Sequence, residues 1–216
     1  DWGYHGGKKS SQHGLHAGPA PHFYLDDEES RADYFEMIRE IVTKYQDDER
    51  ICIWDVYNDP GGSRRQDISL PILKAIFELV REINPSQPLT CALWNIPVNP
   101  DVPLNDIHQY ALEHSDIITY HSYQPYNTHI RIIKRLKKEE RPLINTEWLG
   151  RCFGNDVFSL FPLFYLEKIG CYNWGFVAGK YQTYEPWEAS WQSYESGKNT
   201  DVDFTLWFHD LYRPNH

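Results

Sequence analysis

Apolar residues fall along this chain in two alternating rhythms. An opening stretch, residues 1–29, is rich in Gly, His, Ser and Pro and shows no periodicity, so it reads as a long loop. Tyr34, Ile38, Ile41, Val42 and Tyr45 then share one helical face. Asp47-Asp48 closes that helix. Ile51-Cys52-Ile53-Trp54-Asp55-Val56-Tyr57 follows as a buried strand, broken by Asn58-Asp59-Pro60-Gly61-Gly62. Ile72, Ile76, Phe77, Val80 and Ile83 make a second amphipathic helix, stopped by Asn84-Pro85, before the strand Leu89-Thr90-Cys91-Ala92-Leu93-Trp94. A weaker helix from Leu104 to Leu112 leads to Ile117-Ile118-Thr119-Tyr120, and one through Ile130, Ile133 and Leu136 leads to Pro142-Leu143-Ile144-Asn145-Thr146. A last helix, through Phe158, Phe161, Leu163 and Leu166, precedes Cys171-Tyr172-Asn173-Trp174-Gly175-Phe176-Val177.

Near-continuous apolar strands joined by helices imply parallel pairing with both faces covered. Two α/β architectures satisfy this: an open doubly wound sheet and a closed (β/α)8 TIM barrel. An open sheet binds at a switch point and often carries a Gly-rich first turn, and no GxGxxG follows any strand here. Polar groups instead crowd the C-terminal end of nearly every strand: Asn58-Asp59, Trp94-Asn95, His121, Glu147-Trp148 and Trp174. A barrel gathers such ends into one ring around one pocket, which favours the barrel. The 216 residues are short of the roughly 250 of a complete barrel.

The formal net charge of -10 argues against nucleic acid or an anionic membrane as partner. No apolar run approaches a membrane span, and no signal peptide is visible. Cys52, Cys91 and Cys171 sit in strand-like runs and Cys152 outside them, with no CxxC pair. They read as free thiols, the first three as small buried hydrophobes compatible with a reducing compartment. His5, His13, His16 and His22 have no zinc-like spacing and read as loop histidines. The basic face of Arg131, Lys134, Arg135, Lys137 and Lys138, followed at once by Glu139 and Glu140, reads as solvated surface. Aromatic residues make up 15 % of the chain, eight of them Trp, a surplus that suits core packing and also platforms for the apolar faces of sugar rings.

Glycoside hydrolysis needs two carboxylates, one attacking the anomeric carbon and one protonating the leaving oxygen. Asp59 and Glu147 stand at two strand ends and fit that need, whereas Asp55, inside its strand, reads as a structural hydrogen-bonding acid. Trp54-Asp55-Val56-Tyr57-Asn58-Asp59-Pro60-Gly61 resembles the strand-4 motif of the clan A glycoside hydrolases, especially family 5 cellulase- and mannanase-like enzymes, where Asn-Glu-Pro supplies the acid/base. Ile144-Asn145-Thr146-Glu147-Trp148 resembles the strand-7 motif ending in the nucleophile. His121 and Tyr123 match the strand-6 end, and Asn173-Trp174-Gly175 resembles strand 8, whose Trp floors the reacting subsite. Gly179-Lys180-Tyr181-Gln182-Thr183 and Leu206-Trp207-Phe208-His209-Asp210 also resemble a branch of bacterial family 5-like proteins.

The resemblance spans nearly the whole chain. It implies one partial catalytic domain over residues 1–216 carrying strands 4–8, with Asp1-Trp2 as the tail of strand three and the first three strands missing. It implies a retaining β-glycosidase acting on a β-linked oligo- or polysaccharide, with Glu147 as nucleophile and Asp59 as acid/base. Asn58, Trp94, Asn95, His121, Tyr123, Trp148, Trp174 and Lys180 would contact or position the substrate. It implies no cofactor and no metal. Open barrel edges would favour self-association. Two departures from the family pattern stand out. Asp59 replaces Glu, shortening the acid's reach by roughly 1–1.5 Å, a displacement that can cost about 10²-fold in rate. The Arg that normally contacts the nucleophile has no equivalent here. A carbohydrate-binding pseudoenzyme, or an inactive fragment, is therefore the rival reading.

Overall fold

The structure, a computed structural model, describes residues 3–7, 27–62 and 65–212. Helix and strand alternate through them: α1 (Glu28–Tyr45), β1 (Trp54–Asp55), α2 (Leu70–Ile83), β2 (Leu89–Thr90), α3 (Asp106–His114), β3 (Ile118–His121), α4 (Tyr126–Leu136), β4 (Leu143–Glu147), α5 (Val157–Glu167), β5 (Gly170–Cys171) and α6 (Glu188–Glu195). The chain divides into two compact units. The β1 unit comprises Ala20–His121 and Arg135–Ile144; the β5 unit comprises Asp1–Pro19, Ser122–Lys134 and Asn145–His216. The reading of Asp1-Trp2 as a strand tail, most of the opening loop, and His13, His16 and His22 lie outside the described residues.

In the β1 unit, local chemistry sets the helix ends. The Asp27 carboxylate accepts from Ser30 N at 2.8 Å, and Glu28 and Glu29 complement the positive end of α1. Of the expected apolar face of α1, only Val42 is buried. Helix α2 anchors the unit. Pro71 starts it without sacrificing a hydrogen bond, Asn84 ends it in the left-handed conformation, and Ile72, Leu73, Ile76, Phe77, Leu79 and Val80 are buried. At about 1.5–3 kcal/mol for each such side chain, α2 contributes more apolar burial than any other helix of the unit.

Strands β1 and β2 pair in parallel, Trp54 opposite Leu89 and Asp55 opposite Thr90. Leu93 N donates to Thr119 O at 3.0 Å and His121 N to Leu93 O at 2.9 Å, which extends the parallel order to β3. Ile118 N donates to Pro142 O at 3.0 Å, at the entrance to β4. The seven-residue run Ile51–Tyr57 thus holds a two-residue ladder, and Cys52, expected to be buried, is exposed.

In the β5 unit, Tyr172 N donates to Asn145 O at 2.8 Å and Trp174 N to Trp148 O at 3.0 Å, so the last strand runs beside the end of β4. Phe208 is fully buried and packs edge-on against Trp187 at 4.7 Å and Phe153 at 5.2 Å, forming a core with Cys152 and Val202. Helix α5 buries a different stripe from the expected one. Asp156 caps it through Phe158 N and Ser159 N, and Leu160, Leu163 and Phe164 turn inward. Phe158, Phe161 and Leu166 are left outside at 92, 55 and 75 % exposure. The sequence pattern merged two faces, because α5 is apolar nearly all round. The apolar run after β5 is likewise open, with Tyr172 and Phe176 exposed: among the described residues β5 ends its sheet.

Candidate active site

The β1 unit presents Asp59 in the turn after β1. Gly62 N donates to Asp59 O at 2.8 Å, and Asp59 lies at φ +47°, a left-handed conformation that Asp and Asn tolerate better than most residues. Both carboxylate oxygens have donors: His121 Nδ1 reaches Oδ1 at 2.7 Å, and Asn58 Nδ2 reaches Oδ2 at 3.4 Å. The His121 side chain is only 2 % exposed, at the end of β3. Asp55, on β1 itself, accepts from Ala92 N at 3.3 Å and Thr119 Oγ1 at 3.5 Å. By surface area Asp55 is open to solvent, yet protein crowds it. The direction of its shift, upward, is what the packing fixes: desolvation raises the carboxyl to about 6 against the opposing influence of His121.

The other strand ends of this unit are held from behind. His108 Nε2 hydrogen-bonds Trp94 O at 2.7 Å, and burial holds the His108 ring below its usual range, so it serves as a neutral donor. Asn95 follows in the left-handed region, exposed. Arg135, expected on a solvated face, instead clamps the succeeding loop by donating to Pro97 O, Asn99 O and Val102 O at 2.8–3.0 Å.

The β5 unit presents Glu147 at the last residue of β4, half-buried. The buried Tyr123 hydroxyl donates to Glu147 Oε2 at 2.8 Å. Behind it, Asn145 bridges two groups: its Oδ1 accepts from Glu147 N at 3.2 Å and its Nδ2 faces His129 Nε2 at 3.2 Å. That contact requires a neutral His129 with an accepting Nε2, and burial indeed pushes its ring down to about 4. Two residues past Glu147, Leu149 adopts φ +84°, strained for a branched side chain. Asn155 and His209 hold it there. Leu149 N donates to Asn155 Oδ1 at 2.8 Å, and Leu149 O hydrogen-bonds His209 Nδ1. Asn155 Nδ2 also donates to Ser122 O at 3.2 Å and Gln124 O at 2.7 Å, tying the segments after β3 and β4 together.

Each unit therefore assembles its own carboxylate with a ring donor: Asp59 with His121, and Glu147 with Tyr123. Trp174 follows β5 with its ring partly exposed, and Lys180 stands exposed further on. Trp148, expected at the substrate, is 4 % exposed and packs edge-on against Phe164 at 5.0 Å. Sequence reasoning missed Asn155, Arg135 and the left-handed Leu149. Asn155 and Arg135 owe their roles to distant backbone carbonyls, which leave no local pattern. The polar group placed directly behind Glu147, Asn145, sits inside the strand motif and was within reach of the alternation rule, since it points to the same side as Glu147.

Comparisons with known proteins bear on the fold and the family. The crystal structure of CbXyn10B in native form matches over 92 % of this chain and 70 % of its own, at 14 % identity and a TM-score of 0.52. A crystal structure of an agarase, AgWH50C, aligns more loosely, at 11 % identity and a TM-score of 0.35 over 76 % of this chain and 25 % of its own. No curated protein matches significantly. The alternating helices and parallel strands are those of a (β/α)8 barrel-type glycosidase fold, of which the described residues supply five strands. The cellulase family, glycosyl hydrolase family 5, matches residues 14–156, a span that includes Asp59, His121, Tyr123 and Glu147. The chain belongs to that family, and is a glycoside hydrolase with a carbohydrate substrate.

Proposed function

We propose that this glycoside hydrolase is a retaining β-glycosidase acting on a β-linked oligo- or polysaccharide, its two units working as one catalytic domain. Glu147 attacks the anomeric carbon while Asp59 gives its proton to the departing oxygen. Asp59 then takes a proton from the water that releases the sugar from Glu147. Asn58 serves the sugar 2-hydroxyl, and Trp94, Asn95, Trp174 and Lys180 line the substrate's path. The buried ring of Trp148 supports the strand end rather than stacking on sugar. The observation that carries the reading is the 2.8 Å bond from Tyr123 to Glu147, a strand-end carboxylate oriented by a buried donor within the family-matched span. The test is a set of 2-fluoro glycosides followed by mass spectrometry of the labelled peptide. Label on Glu147, together with loss of turnover but not of ligand binding in Glu147→Gln, supports the reading; label elsewhere refutes it.

A carbohydrate-binding pseudoenzyme is the second reading. Asp59 is one methylene short of the family's Glu, and one of its oxygens is engaged by His121. Saturable binding of oligosaccharides without turnover of any aryl β-glycoside would establish it.

A further inference from the structure

Asn145 and His129 stand behind Glu147, and both are completely buried. His129 is on α4 and Asn145 on β4, in the same β5 unit as Glu147. Phe164 of α5 meets the His129 ring edge-on at 5.2 Å, and meets Trp148, the residue after Glu147, at 5.0 Å.

The hydrogen bonds of this pair allow one polarity. A backbone N–H only donates, so the Asn145 atom 3.2 Å from Glu147 N is its oxygen. The amide NH2 then faces His129 Nε2 at 3.2 Å, and that nitrogen has to accept. His129 is therefore neutral, with its proton on Nδ1. Its setting favours that form, since burial pushes the ring down to about 4 against the pull of the Gln124 backbone. Gln124 follows Tyr123, and its carbonyl also accepts from Asn155 Nδ2 at 2.7 Å. The Glu147 peptide is held on both sides, its N–H by Asn145 and its carbonyl by Ser122 N at 3.0 Å. A reversed Asn145 amide would set NH2 against the Glu147 N–H, donor against donor in a fully buried place.

We propose that His129 is a positioning residue for hydrolysis: as the acceptor for Asn145 it sets which way that amide faces, and so holds the Glu147 peptide from which the attacking carboxylate projects. This rests on reading Glu147 as the nucleophile. Two controls converge on that residue. Tyr123 orients the carboxylate through Oε2 at 2.8 Å, while the Asn145–His129 pair fixes the main chain it hangs from. His129 is buried behind the strand, touches no substrate and exchanges no proton with it.

The experiment uses the full chain and 2-fluoro glycosides with a dinitrophenyl leaving group. The first-order labelling rate at saturation, counted per labelled site, and the half-saturating concentration are measured; 15N NMR reads the His129 ring. In the wild type the label is expected on Glu147, with a pyridine-type Nε2 and the proton on Nδ1. His129→Leu removes the acceptor and is expected to slow labelling by about ten- to a hundredfold, with the half-saturating concentration unchanged. His129→Gln, whose side-chain oxygen can stand where Nε2 stands, is expected to restore most of the rate. A merely structural His129 would lower the amount of labelled protein and its Tm but leave the rate per labelled site in place, and that result overturns the proposal. So does a His129 ring with its proton on Nε2, a measurement that needs no variant to fold. Wild-type label on a residue other than Glu147 removes the nucleophile reading and the proposal with it; label on Glu147 at an unchanged rate in His129→Leu removes the proposal alone.

Discussion

Asp59→Glu restores the residue that the family motif carries, and the structure says what that change does. The added methylene extends the carboxyl by roughly 1–1.5 Å, and a misplacement of about 1 Å is worth roughly 10²-fold, or about 2.7 kcal/mol of barrier. Two local features oppose the gain. Asp59 lies at φ +47°, where most L-residues incur roughly 1–2 kcal/mol, while Asp escapes part of that through its short polar side chain. The 2.7 Å bond from His121 must also be remade to a group that now reaches past it. The strain falls on folding: about 1 kcal/mol lowers Tm by roughly 2–4 °C in a chain of this size. The rate is expected to rise by about ten- to a hundredfold on substrates with poor leaving groups. On dinitrophenyl glycosides, whose leaving groups need little protonation, it should hardly change. The assay is the ratio of kcat/KM between the two substrate classes in both proteins, with a melt of each. An unchanged ratio alongside a lowered Tm would show that the strain argument holds and that Asp59 is not the acid.

Tyr123→Phe removes the donor on Glu147 Oε2 without opening a cavity. Because hydrogen bonds to charged groups contribute about 1.5–3 kcal/mol, the acid limb of kcat/KM should move up by about one unit and the plateau fall roughly tenfold. A pH series of initial rates checks this, and movement of the basic limb alone would refute it. Asn155→Ala leaves Leu149 N, Ser122 O and Gln124 O without their side-chain partner in a buried setting. At about 1–3 kcal/mol for each unsatisfied group, the loss should reach about 3 kcal/mol or more, visible as a drop in Tm of roughly 6–12 °C. A drop of under about 2 °C would mean that the segments after β3 and β4 are held by other means.

The alternation of β1 to β5 with their helices was legible because both periods repeat over enough residues to be counted. So was the crowding of polar groups at strand ends, Asp59, His121 and Glu147 among them, while Tyr123 came only through the resemblance to the family's strand-6 end. What failed did so for identifiable reasons. The seven-residue run from Ile51, apolar but for Asp55, says that a strand lies there, yet hydrogen bonding to β2 fixes only Trp54 and Asp55 as ladder. Helix α5 is apolar on most sides, so its pattern could not say that Leu160 and Phe164 face inward while Phe158 faces out. Asp55 was judged structural from its place within the strand, and its hydrogen bonds to Ala92 N and Thr119 Oγ1 fit that reading. Trp148 adjoins Glu147 in sequence, but strand alternation sends it to the other side, against Phe164.

The aromatic packing behind Tyr123 has a consequence for how this enzyme can be watched. Trp187 meets the Tyr123 ring edge-on at 5.0 Å, and both belong to the cluster around Phe208. The same Tyr123 carries the hydroxyl bonded to Glu147. An indole this close to the ring that holds Glu147, the proposed nucleophile, is a built-in optical probe. Any event that takes the Tyr123 hydroxyl away from Glu147, covalent occupation by a sugar included, disturbs the surroundings of Trp187. A change in indole emission that Trp187→Phe removes, against the background of the other seven tryptophans, would report on that carboxylate without a chromophore on the substrate.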